Sequence, residues 1–243
     1  MGISVLTGTI KRRLLVNFRC SPEAVARILP SPLRPKLHEG YAMAGICLIR
    51  LKHERPSGVP AALGLASENA AHRFAVEWSE ADGTVREGVF VAHRHTDSAL
   101  NRLAGGRMFP VHSEAARFCV SESGGRIELA MRSRDGSLSV SVEGSEAESL
   151  PAGSCFSSLP EASAFFEAGS LGYSRVGGQG LQGIRLWTPE WRAGALAVSR
   201  VSSSYFEDSA RFPAGSIEFD HALVMRDVRH EWRDAARLGD GSS

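Results

Sequence analysis

Between Glu68 and His112 the chain gathers side chains that can do chemistry. Glu68-Asn69 leads to Arg73, the run Gly88-Val89-Phe90-Val91-Ala92-His93-Arg94-His95-Thr96-Asp97 follows, and Gly105-Gly106-Arg107-Met108-Phe109-Pro110 leads to His112. A carboxylate or imidazole can move a proton, and a guanidinium can hold the anionic group of a substrate through paired hydrogen bonds. Glu68 and His112 are therefore the candidate acid-base groups. Arg94 or Arg107 is the candidate carboxylate clamp, with Asn69, Arg73, His93, His95 and Asp97 as further binding groups. His93, His95 and Asp97 recur at every second position, so in a continuing strand all three project to one face. Two imidazoles and a carboxylate, completed by His112, could bind zinc or iron. H-x-H spacing alone is weak, and the plainer expectation is that the strand stops before Asp97 and no metal binds. For Glu68 and Arg73 the plain alternative is a surface ion pair on a loop, which contributes little.

Other chemistries lack their signatures. The lysines are Lys11, Lys36 and Lys52, and none falls in this segment, so a lysine Schiff base is hard to place. No G-x-S-x-G elbow supports Ser98 or Ser113 as a nucleophile. Gly177-Gly178-Gln179-Gly180 lacks the lysine and spacing of a phosphate loop. Cys20, Cys47, Cys119 and Cys155 form no C-x-x-C pair, and Cys47 and Cys119 sit in apolar runs, so reduced core residues are expected. No cofactor is implied.

These residues must be positioned by strands. Ile10 to Phe18, Tyr41 to Lys52, Arg73 to Trp78 and Val85 to His93 read as strands, the last two a hairpin around Asp82-Gly83. Ala115 to Glu122, Arg126 to Arg132 and Leu138 to Glu143 read as a meander. Leu181 to Trp187, Ala195 to Val201 and Ile217 to Val228 complete the set. Ser21-Pro22-Glu23 and Leu159-Pro160-Glu161 start short helices, the second ended by Gly169. Tyr173 falls in a glycine-rich stretch, Gly169 to Gly183, expected as a loop over a barrel mouth. Trp187 and Trp191 are expected to pack in the core, with ligand stacking as the alternative. So many strands with so few helices predict an α+β, mainly β fold, a closed or nearly closed antiparallel barrel. One domain is expected over residues 1–232, with a polar, flexible tail over 233–243.

At 243 residues with 43% hydrophobic and 23% charged residues, the chain can bury a substantial core. A net charge of +1 and scattered arginines argue against nucleic acid as a partner. No apolar run approaches the length of about 20 residues that spans a bilayer. A cytoplasmic protein with a small-molecule ligand is the expectation, and an exposed strand edge could support a homo-oligomer.

Taken in order, the first strand, the Ser-Pro-Glu helix, Leu29-Pro30-Ser31-Pro32-Leu33, the apolar strand, Glu68-Asn69 and the Arg94 region resemble the acetoacetate decarboxylase-like superfamily. The chain resembles most closely that superfamily's bacterial branch labelled a domain of unknown function. There, Glu68, Asn69 and Arg73 match a glutamate-asparagine pair before an arginine-bearing strand. Gly88 to Asp97 match a glycine-led strand ending in aspartate, and Arg107, Phe109 and Pro110 match an arginine before an aromatic residue and proline. Tyr173 and Trp187-Thr188-Pro189-Glu190-Trp191 match a late tyrosine and a proline-tryptophan strand. The resemblance implies a β-barrel or cone with an interior small-molecule pocket. It also implies a lost activity, because Asn101, followed by Arg102, stands where acetoacetate decarboxylase carries its imine-forming lysine. The family's early-strand glutamate falls near Gly45, while a basic group near Lys11 to Arg13 is kept. What remains is a pocket for an organic acid or carbonyl compound, with a noncatalytic binding module or a metal-assisted hydrolase or lyase as alternatives.

Overall fold

Apolar residues in Tyr41 to Leu51 do not alternate with polar ones but run on continuously, and such a strand must be covered on both faces. The computed structural model, which describes residues 5–99, 113–175 and 180–239, shows how this is done. β1 (Val5–Cys20), β4 (Tyr41–Pro56), β5 (Leu65–Ser79), β6 (Val85–Thr96) and β13 (Ile217–Leu238) form a wall in the order β13-β1-β4-β5-β6, every pairing antiparallel. Two circuits of strands leave β6 and return to β13, one on each side of this wall. The first runs through β10 (Leu171–Arg175) and β11 (Leu181–Trp187). The second runs through β7 (Glu114–Ser123), β8 (Arg126–Ser133), β9 (Ser139–Ala147) and β12 (Gly194–Ser203). Short strands β2 (Arg34–Pro35) and β3 (Leu37–His38) pair with β5 and β4.

The mainly β, ring-like architecture is the one expected, with one difference. β7 and β10 both run parallel to β6, so the sheet is mixed. Parallel neighbours need long crossovers, and the chain has them between Thr96 and Glu114 and between Thr96 and Leu171.

Helix α1 (Pro22–Ala26) starts where Ser21 accepts from the Ala24 amide, and α2 (Leu159–Ala168) where Ser158 accepts from the Glu161 amide. The Ser21 cap is the expected one, and Ser158 caps the second helix in the same way. Helix α2 seats Ala162 and Phe166 beside Phe156, Leu223 and Met225, closing the space inside the first circuit. No helix among the described residues is long and apolar enough to cross a membrane.

Three local expectations are corrected. Strand β13 continues through Leu238, where a frayed tail was expected from residue 233, because Arg233 pairs with Val5 and Leu238 with Leu181. Main-chain pairing with two neighbours outweighs the polarity of that segment. The stretch around Tyr173 is strand β10, and Tyr173 is buried with its ring 5.2 Å from Trp78. Cys119 is exposed, since alternate residues of β7 face solvent, whereas Cys20 and Cys47 are buried.

Each wall strand divides its residues between two cores. Ile46 and Leu48 of β4 and Ala70, Phe74 and Val76 of β5 pack against Ile127, Leu129, Met131, Phe206 and Phe212 inside the second circuit. Leu15, Cys47, Ile49, Ala71 and Ala75 face the first circuit and α2.

Candidate functional site

The face turned toward α2 is incompletely filled. A cavity of about 420 Å³ lies against it, lined by residues of β1, β4, β5, β6, β10, β11 and β13. Strand register arranges the wall strands behind it in three rows. Asn17, Gly45, Arg73 and Val91 lie side by side across β1, β4, β5 and β6; the next row is Leu15, Cys47, Ala71 and Arg94; the third is Arg13, Ile49, Asn69 and Thr96.

Arg94 reaches this row because of a β-bulge. The β5–β6 register slips between His72 and Arg73, so Arg73 faces Val91 while His72 faces His93. The extra residue, Ala92, inverts the alternation beyond it. Val91 and Arg94 both line the cavity, and the rings of His93 and His95 turn to the other face of the wall with His72, although His95 still borders the cavity. There Glu114 lies 3.7 Å from His93 Nδ1 and 3.4 Å from His95 Nε2.

Three guanidinium-bearing residues, Arg13, Arg73 and Arg94, line the cavity together with Cys47. Arg13 donates from Nε to Cys47 Sγ at 3.3 Å, and strand register places Arg94 in the row of Cys47 and Arg73 in the row beside it. Arg94 donates from Nε and an Nη to Ser174 Oγ at 3.2 and 3.1 Å. Arg13 Nη1 and Arg73 Nε are buried without a hydrogen-bond partner among the described residues. Burial lowers the pKa of Arg73 and of Arg94 to about 10, so both stay cationic at neutral pH. Arg13 lies over Trp191 at 5.4 Å and Arg73 over Phe166 at 4.8 Å, faces that favour a cation.

Arg73 is held by a buried chain of hydrogen bonds. Its Nη2 donates to Asn17 Oδ1 at 2.7 Å, Asn17 Nδ2 meets His221 Nε2 at 3.1 Å, and His221 Nδ1 meets Asp220 Oδ1 at 2.5 Å. Because the amide nitrogen of Asn17 can only donate, His221 Nε2 accepts from it and Nδ1 donates to Asp220. Burial alone would raise the Asp220 pKa, but donors from His221, Ser154 and the Cys155 amide outweigh it and hold the carboxyl well below its ordinary range. Gly45 makes the first link possible. A Cβ there would come within 2.9 Å of Asn17 Oδ1 and 2.8 Å of the Val16 carbonyl.

Among the residues singled out in the sequence, Asn69, Arg73, Arg94 and His95 border the cavity. Asn69 spends its amide on Ile49 O and Ser67 Oγ. Glu68 lies in strand β5, not on a loop, and faces away from Asn69 and Arg73. It accepts from the buried Arg12 at 2.5 Å, and burial raises its pKa despite Arg12. Asp97 lies past the end of β6 and accepts from the Glu68 amide at 2.9 Å. Among the described residues no group of His, Cys, Asp and Glu could hold a metal ion. Tyr173 points away from the cavity toward Trp78, and Trp187 lies at the surface under Arg233, 41% exposed. Asn101, Arg107 and His112 lie outside the described residues; Ser113, next to His112, lines the cavity.

Sequence reading overlooked Cys47, Asn17, Asp220 and His221 as site residues. Asn17 and the Asp220-His221 pair did carry a signal, since polar residues inside runs that must be buried need partners.

With this geometry in hand, comparison with known proteins is decisive for the family. The model of DUF2071, an uncharacterized conserved protein family, matches residues 7–224. The chain belongs to the DUF2071 family. No curated protein matches it. Three solved structures place this DUF2071 chain by fold. An acetoacetate decarboxylase-like enzyme from Sphingomonas wittichii RW1 aligns with TM-score 0.59 and 14% identity over 98% of this chain and 93% of its own. Acetoacetate decarboxylase from Legionella pneumophila aligns with TM-score 0.60 and 10% identity over 96% and 88%. The enduracididine biosynthesis enzyme MppR, complexed with pyruvate, aligns with TM-score 0.62 and 14% identity over 100% and 93%. The DUF2071 chain therefore has the acetoacetate decarboxylase-like fold, in agreement with the resemblance read from its sequence.

Proposed function

We propose that this DUF2071 protein binds a small organic acid or carbonyl compound in the cavity beside Cys47, and does not decarboxylate it through a lysine Schiff base. The observation that carries this reading is the convergence of Arg13, Arg73 and Arg94 on one end of the cavity with no carboxylate among them. Glu54, the one acid lining the cavity among the described residues, is engaged by His230 at 3.1 Å. Buried guanidinium donors without partners cost stability. An anionic ligand supplies what they lack.

Lys11 pairs with Asp227 and Lys36 with Glu87, none of the lysines lines the cavity, and the sequence has none after Lys52. This supports a role other than imine chemistry, since that needs a neutral primary amine beside the ligand. That MppR, which is similar in fold, forms a complex with pyruvate is consistent with an acid as ligand. Of the acid-base candidates Glu68 is committed to Arg12, which leaves His112 for that role.

Thermal denaturation with a panel of carboxylic and keto acids tests the reading. An acid that binds the native state raises the melting temperature by mass action. Arg73→Met and Arg94→Met should abolish the rise while changing the unliganded stability by only about 1 kcal/mol, since each removes a costly buried cation along with its hydrogen bonds. If no acid raises the wild-type melting temperature, or both variants respond like wild type, the proposal is wrong.

A further inference from the structure

Resting on the acid-binding reading, we infer that the acid carries an apolar body larger than a three- or four-carbon keto acid. It is an alkyl or aryl monocarboxylate, headgroup at the arginines and tail toward the opposite end of the cavity.

The cavity is chemically divided along the strands. Its charged end is the Arg73, Cys47 and Arg94 end. From Cys47 the lining proceeds along β4 through Ile49 to Leu51, a further rise of about 13 Å at roughly 3.3 Å per residue. Beyond Leu51 it continues to Val59, Leu63 and Leu65. The polar side chains at this far end are already satisfied. Arg55 donates to Val59 O at 2.8 Å and His53 O at 2.7 Å, and Glu54 is paired with His230. A second polar group on the ligand would find no free partner there, and would lose its hydration without replacement. By contrast, Arg13 Nη1 and Arg73 Nε, which have no hydrogen-bond partner among the described residues, belong to the charged end.

Size agrees. A volume of about 420 Å³ falls within the range of roughly 300–1,000 Å³ for sites that enclose drug-sized ligands. At about 30 Å³ per water-sized group, it is roughly twice what a small keto acid fills. Leu63 is 70% exposed and Leu65 37% exposed, and both line the cavity, giving its far end an apolar rim that a tail can cover.

Calorimetric titration of the whole protein with straight-chain alkanoates from acetate to decanoate, and with the matching primary alcohols, tests this. Affinity should rise about fourfold per methylene, the factor for burying one CH₂, until the chain fills the cavity, and each alcohol should bind at least tenfold more weakly than its acid. Leu51→Asn should flatten the chain-length dependence. Equal affinity from acetate to decanoate would overturn this inference and leave the acid-binding reading standing. No binding by any acid, or alcohols binding as tightly as acids, would overturn that reading and this inference with it.

Discussion

The wall β13-β1-β4-β5-β6 has two faces built from alternating residues of the same strands, and they differ in what they hold. On β5, Phe74 is wholly buried among Phe206, Phe212 and Tyr205. Its neighbour Arg73, turned the other way, borders a cavity and has a buried nitrogen with no partner among the described residues. One face is filled with interlocking rings, which maximises dispersion contacts and apolar burial. The other keeps space and concentrates positive charge, arrangements that cost stability and are tolerated where a ligand is bound. The contrast separates the residues that hold the protein together from those available for function, although they are adjacent in sequence.

The sharpest test of that division is Phe74→Ala. On the filled face it should cost about 3–5 kcal/mol, from lost burial plus the cavity left behind, measured by denaturant unfolding. A cost near 1 kcal/mol would mean that this face is no better packed than the other, and the contrast would collapse.

A paired enlargement compares the faces directly. Ala44, buried on the filled face of β4, and Ala71, on the cavity side of β5, are both small residues in wall strands. Ala44→Leu should overpack and cost about 1–3 kcal/mol. Ala71→Leu should enter open space between Cys47 and Arg94, leave stability unchanged or slightly higher, and abolish acid binding. Equal destabilisation by both would show that the cavity closes around Ala71 in solution.

A smaller effect comes from the histidine cluster on the filled face. Burial, reinforced by His93 and His95, lowers the His72 pKa from 6.5 to about 3. The unfolded chain therefore takes up a proton between these values while the folded protein does not, so stability present above pH 6.5 is lost as pH falls toward 3. At pH 5.5 the loss through this group is about 1.4 kcal/mol relative to neutral pH. Unfolding of wild type and His72→Phe at pH 7.5 and 5.5 measures it: the variant should lose that much less stability on acidification. Identical losses would show that His72 is not held neutral by the fold.

Much of the architecture was legible because its signals are local. Ser21-Pro22-Glu23 and Leu159-Pro160-Glu161 start helices through signals that reach only a few residues. The Leu138, Val140 and Val142 alternation marks a strand with one buried face. The site was legible in part. Arg94 and Arg73 stood out by type, yet the sequence offered no means of telling that Glu68 faces away from Arg73, or that Tyr173 lies in a strand whose neighbours are β6 and β11. Arg73 and His221 are connected through Asn17, which lies 204 residues from His221.

By itself, then, the sequence determined a mainly β protein with continuously apolar central strands, and one without a lysine after Lys52. These are properties of composition and short-range pattern, and no folding is needed to read them. Only the tertiary structure decided which cations meet. Strand register brings Arg13, Arg73 and Arg94 to the rows on and beside that of Cys47, and the single extra residue at Ala92 decides that Arg94, and not His93, turns to their side. Side chains alternate with a period of two, so a one-residue slip exchanges the faces of everything beyond it. That slip is fixed by pairing between strands, which residue spacing along one strand does not record.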